Sequence, residues 1–212
     1  MIWCYNIRQY IFIFEVSMEN LNINFSLPLD ALEEKQVSST PIFDGKVLHV
    51  RFDNITLPNG VSATREYCHH NGAVCVIPIT DEGEVICVRQ YRYPFHEDLL
   101  EIPAGKLDSP EEDPNDAVVR ELREETGAIA KNITYLGKYY PSPAILDECI
   151  YIYMAEGLSF GDTDFDDDEF IESVKIPLDR LVELVLEGKI RDGKTQISSL
   201  RAHMMLERRS KN

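Results

Sequence analysis

The sequence predicts a mixed α/β fold in which helices pack against a β-sheet, and two observations carry that expectation. Apolar runs of strand length recur between turn-forming residues, most plainly GAVCVIPIT and EVICVRQY at 72–80 and 84–91. Segments with apolar residues at helical spacing come next, one in mid-chain and two near the C-terminal end. Strands and helices interleaved in this way imply a mixed sheet covered by helices. With 212 residues, 44% of them hydrophobic, the chain can bury a sizeable core, as one domain or as a small domain attached to a larger one.

Residues 1–17, MIWCYNIRQYIFIFEVS, look foreign to the rest of the chain. The apolar run between Arg8 and Glu15 is too short to span a bilayer and has no small-residue cleavage pattern, so it reads neither as a membrane helix nor as a signal peptide. We read it as an upstream extension, with an ordinary soluble sequence starting at Met18. Residues 18–70 form an N-terminal β region in this reading. There KVLHVRFDNITL and SATREYC are strands joined by Pro58-Asn59-Gly60, and they are too few to enclose a core. The larger domain, 71–212, opens with a hairpin turning at Asp81-Glu82-Gly83. A helix is expected from Asn115 to Thr126, where Ala117, Val118 and Leu122 share one side. Asp113 or Asn115 can cap its start, and Gly127 can end it. Strands are expected at ITYLGKYY and CIYIYMAEGL, then an acidic run, GDTDFDDDEFIES, that enters another strand. Helices near LDRLVELVLEG and TQISSLRAHMMLERR close the chain.

A net charge of -16 and a pI near 4.7 disfavour nucleic acid as partner or substrate, because binding it rests on neutralising phosphates with Lys and Arg. The five cysteines, Cys4, Cys68, Cys75, Cys87 and Cys149, are odd in number and form no CxxC pair. Neither a disulfide framework nor a zinc site is implied, and reduced thiols in a cytoplasmic protein are expected. The histidines, His69-His70 included, lack HExxH spacing. No EF-hand loop is present, which argues against a calcium-binding acidic protein.

The chemistry concentrates in GKLDSPEEDPNDAVVRELREETGA, residues Gly105 to Ala128. Glu121, Glu124 and Glu125 stand at i, i+3 and i+4 and so share one side of the helix. Like charges at these spacings cost ~0.2–0.5 kcal/mol per pair on an isolated helix. A divalent cation would reverse that penalty, since carboxylates are the ligands of hard cations.

This segment resembles the signature of the Nudix hydrolases: Gly, five spacers, Glu, seven spacers, then Arg-Glu-apolar-any-Glu-Glu-any-Gly-apolar. Arg120 to Ala128 fit its second half without exception, and seven spacers back from Arg120 stands Glu112. Gly105 lies six spacers further back, a one-residue insertion that leaves Glu111 or Glu112 as the partner of Arg120. The resemblance, which spans the chain from about residue 41, implies the Nudix α/β/α sandwich, with a mixed β-sheet and a small N-terminal antiparallel sheet ahead of it. The phrase EIPAGKL and the segment YYPSPAILDE are similar to those of the ADP-ribose pyrophosphatases, where a Ser-Pro-Gly sequence is usual and Ala144 here replaces the Gly. A position that tolerates only Gly would not accept Ala, so Ala144 bears on the substrate.

The resemblance implies magnesium-dependent hydrolysis of ADP-ribose to AMP and ribose 5-phosphate, with manganese as a substitute ion. Alternatives are another nucleoside diphosphate sugar, a dinucleotide, or a non-catalytic module that binds ADP-ribose. Magnesium suits a pyrophosphate because it prefers oxygen ligands and keeps waters, one of which serves as nucleophile. Glu121 and Glu125 are the expected ligands, joined by the carbonyl of Ala104, while Glu124 is auxiliary. Arg120 orients a box glutamate, and Gly105 lets the backbone bend toward the metal. In the acidic run Glu169 is the expected base or extra metal ligand, with Asp167 as the alternative. Arg65 and Arg92 fall where the family contacts phosphate and base, Phe43 is a candidate to stack on adenine, and Glu66 to accept from its amino group. In that subfamily the small sheet exchanges between subunits and helps to build the substrate site, which implies a homodimer.

Overall fold

The computed structural model describes residues 21, 23, 26–28, 30–161 and 170–211. Its N-terminal part is an antiparallel sheet of three strands in the order β1 (Lys35–Asp44), β2 (His49–Thr56) and β3 (Ser62–His69). The second connection turns at Gly60 with φ 82°, and Asn59 Oδ1 accepts from the Val61 N–H at 3.1 Å, the Asn-Gly chemistry read from the sequence. β1 is longer than the expected strands and begins before residue 41. Its sequence, KQVSSTPIFD, is polar with a proline inside, the composition of an edge strand, and its register slips between Pro41 and Phe43.

The main sheet is built around β4 (Ala73–Ile79), all seven residues of which are buried. Beyond it come β5 (Glu84–Arg92), β6 (Glu97–Glu101), β7 (Ala104–Lys106), α1 (Pro114–Thr126), β8 (Ala128–Tyr139), β9 (Ile150–Phe160), β10 (Ile171–Pro177), α2 (Leu178–Leu186) and α3 (Gly193–Ser210). The strand order is β10-β5-β4-β9-β8, with β6 added beside β5 and β7 beside β4. β4 runs parallel to β9 and antiparallel to β5 and β7, so the sheet is mixed. β6 and β7 are strands that the sequence patterns do not predict.

Because side chains alternate along a strand, β4 serves two cores. Cys75, Ile77 and Ile79 pack with Leu181, Val185 and Ala202 of α2 and α3. Val74 and Val76 pack with Ala117, Val118 and Leu122 of α1. Helices on both faces make the expected α/β/α sandwich. Among the described residues no helix is long and apolar enough to cross a membrane.

Candidate active site

α1 begins and ends where its sequence dictates. Asp113 caps it by accepting from the Asn115 N–H, Pro114 occupies the first turn, and Gly127 ends it at φ 67°. With Leu122 and Val118 fixed in the core, Glu121 and Glu125 are turned toward β7 and are buried. The Ala104 N–H donates to Glu125 Oε2 at 3.2 Å. At Gly105 an added Cβ would fall 1.9 Å from Glu121 Oε1, so only glycine admits that carboxylate. Gly105 is not among the glycines of positive φ, and its necessity comes from this close approach, not from the backbone bend expected of it.

Arg120 ties the carboxylates together. Its Nη1 donates to Glu121 Oε1 at 2.7 Å and to Glu124 Oε2 at 3.2 Å, and its Nη2 donates to Glu112 Oε1 at 3.1 Å. Burial opposes its charge, yet Glu121 and Glu112 outweigh that cost and push the guanidinium pKa further up. The choice between Glu111 and Glu112 is settled by this contact, and Glu112 Oε2 also accepts from the Asp108 N–H at 2.6 Å. The inserted residue is absorbed in the turn where the Glu112 N–H reaches the Ser109 carbonyl at 3.2 Å.

Arg120, Glu121, Glu124 and Glu125 line a cavity of about 550 Å³ that also takes in Arg92, Lys194, His70 and Glu148. Arg92 gives Nε and Nη2 to the two oxygens of Glu101 at 2.6 and 2.5 Å, a bidentate pair that raises its pKa. Those bonds leave further guanidinium N–H groups for a ligand. Glu101, 1% exposed, also accepts from Lys194 Nζ, which bonds Asp192 Oδ1 at 3.0 Å. Burial would raise the Glu101 pKa, but Arg92 and Lys194 hold it below the ordinary glutamate value. Glu101 and Lys194 are site residues that the sequence analysis does not single out. A lysine in the first turn of a helix opposes the helix dipole, and that oddity is the signal that acidic partners await it.

Of the remaining expected residues, Arg65, Phe43 and Glu66 do not border this cavity in a single chain. Arg65 is engaged on the surface, its Nε donating to Glu34 at 2.9 Å and its Nη1 to the Thr64 carbonyl at 2.9 Å. Phe43 is 56% exposed and Glu66 is exposed on β3. Glu169 and Asp167 lie outside the described residues, as do residues 1–17. Ala144 is not among the residues of positive φ, so its backbone conformation makes no demand for glycine.

Among the described residues no three His, Cys, Asp or Glu side chains close on one metal position. The cavity offers Glu121 and Glu125 against the Ala104 peptide, in the cradle that Gly105 leaves open. Oxygen donors in so small a set fit a hard cation that keeps most of its waters, as magnesium does.

Comparison with known proteins agrees with this geometry. Residues 69–197 match the NUDIX domain. The chain is 41% identical over 169 residues to the ADP-ribose pyrophosphatase of Bacillus subtilis, covering 79% of this chain and 91% of that one. It is 40% identical over 168 residues to the methanol dehydrogenase activator of Bacillus methanolicus, covering 78% and 90%. The solved structure of an ADP compounds hydrolase superposes with a TM-score of 0.73 at 22% identity, over 84% of this chain and 96% of that one, which establishes the shared fold.

Proposed function

The chain belongs to the Nudix hydrolase family, and from that premise we propose that it splits the pyrophosphate bond of ADP-ribose, giving AMP and ribose 5-phosphate. The observation that carries the reading is the match to an ADP-ribose pyrophosphatase along 91% of that enzyme, in a chain whose Glu121 and Glu125 converge on Gly105 and Ala104.

In this reading Glu121, Glu125 and the Ala104 carbonyl hold magnesium, or manganese in its place, with Glu124 at the rim. When bound, the ion offsets the charge on the phosphate oxygens and lowers the pKa of a bound water. Arg120 fixes the rotamers of Glu121 and Glu124 through the hydrogen bonds it donates to both. Arg92, anchored by Glu101, presents its remaining N–H groups to the pyrophosphate. Glu169 takes the proton of the attacking water, with Asp167 as the alternative. Supporting this, the acidic run enters β10 at Ile171, which lies opposite Gln90, a residue of the cavity wall. Arg65, Phe43 and Glu66 reach the substrate from the N-terminal β region, 18–70, of a second copy in a homodimer, while 71–212 is the hydrolase domain. The enzyme works in the cytoplasm, where its thiols stay reduced.

The test is to incubate the protein with magnesium and a panel of ADP-ribose, ADP-glucose, dinucleotides and nucleoside triphosphates, and to identify products by mass. ADP-ribose is expected to turn over fastest and to stop on chelation. Glu125→Gln should lower kcat by about a hundredfold or more, since even outer partners of a metal ligand are worth about 10–100-fold. A faster turnover of another compound would replace the substrate, and no turnover with any divalent ion would leave a binding module.

A further inference from the structure

Beside the catalytic cavity lies a second one of about 250 Å³, with fewer acidic side chains on its wall. The two share His70, Lys106 and Asp108. The first sets the carboxylates of α1 among Arg92, Arg120 and Lys194, whereas the second brings Lys46 from the β1–β2 turn and Lys106 from β7 together with His49, His69 and His70, with Asp108 its one acidic side chain. Among the described residues neither lysine side chain has an ion-pair partner. The acidic residue on that wall, Asp108, lies 3.8 Å from Arg120 Nε and is offset by it. His49 Nδ1 faces Asp44 at 2.5 Å and His69 Nδ1 faces Asp147 at 2.6 Å, so those two rings are matched by acids. His70 has the Glu148 carboxylate 3.8 Å from its Nδ1, farther than the acids beside the other two rings, and that nitrogen accepts from the Gly72 N–H at 3.0 Å, which leaves Nε2 as the donor. In a chain of net charge -16, two unmatched ammonium groups and an imidazole donor around one concavity form a local anion trap.

Resting on the hydrolase reading above, we propose that this second cavity is a phosphate-monoester subsite that receives the phosphorylated sugar fragment after cleavage. Hydrolysis supplies the physical reason. Water adds across the P–O–P bridge: its oxygen forms a new bond to one phosphorus, the bridging bond breaks, and protons leave to solvent. Each half then carries a terminal phosphate of about −1.5 to −2 at pH 7, more negative than the bridged phosphate it came from. Such a dianion is repelled by Glu121, Glu124 and Glu125 and attracted by Lys106 on the shared wall and by Lys46 on the wall of the second cavity. Ribose 5-phosphate is the fragment assigned to this role; inorganic phosphate has the same chemistry without the sugar.

The experiment is calorimetric titration of the full chain, without substrate or metal, with ribose 5-phosphate and separately with inorganic phosphate. It is repeated on Lys46→Met and Lys46→Glu, whose exposed turn position keeps the fold, checked by circular dichroism. Ribose 5-phosphate is expected to bind more tightly than inorganic phosphate, to weaken at least about fivefold in Lys46→Met and further in Lys46→Glu, and to lose affinity as salt rises. Binding undiminished by both substitutions, or no tighter than that of inorganic phosphate, overturns the proposal. No turnover enters these titrations, so a failure here leaves the hydrolase assay standing, and a failure of that assay is read separately from product masses.

Discussion

β4 and β1 are both strands held in ladders, yet all seven residues of β4 are buried and all ten of β1 are exposed. The difference separates two ways of holding a strand. β4 is fixed by side chains on both faces, between α1 on one side and α2 with α3 on the other. β1 is fixed by its ladder to β2, and its side chains, the exposed Val37, Ile42 and Phe43 included, contribute no core. A catalytic constellation that must stay put is hung on the first kind of support: α1 packs on β4, and Glu121 and Glu125 take their places from its orientation. The terminal sheet is free to present its faces to something else.

The largest expected effect tests that contrast directly. Leu122, 1% exposed, anchors α1 on β4, and Leu122→Ala should cost about 2–5 kcal/mol, the range for emptying a packed leucine site. Leu48, 54% exposed just before β2, should lose less than about 0.5 kcal/mol on the same change. Urea unfolding of both variants checks it, and equal losses would mean that the terminal sheet has a hydrophobic support of its own.

A smaller effect isolates the site from the core. Gly105→Ala puts a methyl where Glu121 sits, at 1.9 Å, and the atom that must yield is the end of a flexible side chain, not backbone. The carboxylate should swing away while the helix stays, lowering turnover of ADP-ribose about tenfold or more and shifting Tm little. A large fall in Tm with unchanged turnover would show that Gly105 serves the fold instead.

How much of the molecule is legible in its sequence depends on how far apart the contacting residues are. The helix, its caps and the Arg120 cluster lie within Gly105 to Ala128, so periodicity and spacing are enough to contain them. The pair of Glu101 and Lys194 spans 93 residues and exists only because β6 and the start of α3 meet at the cavity, which no local pattern encodes. β1 is hidden for another reason: an edge strand with Pro41 and no buried face lacks the alternation by which strands are recognised. The necessity of Gly105 is legible as a motif position, but its cause, the Glu121 carboxylate at its Cα, is not.

The finest test asks whether the two regions join in one site across subunits. Arg65 is half-exposed and paired with Glu34, and such surface pairs are worth about 0–1 kcal/mol, so Arg65→Ala should barely move Tm. If its guanidinium reaches the pyrophosphate in a neighbouring copy, KM for ADP-ribose should rise roughly tenfold, the worth of a charged hydrogen bond at about 1.5 kcal/mol. Mixing separates a neighbour's contribution from an effect within one chain. Arg65→Ala and Glu125→Gln damage different parts, and a mixed dimer contains one site with Arg65 from one copy and Glu125 from the other. An equal mixture after subunit exchange should therefore regain roughly a quarter of wild-type activity, because half the dimers are mixed and each has one intact site of two. If the mixture stays at the average of its two components, the terminal sheet serves only its own chain, and the exposed face of β1 has a purpose other than completing this site.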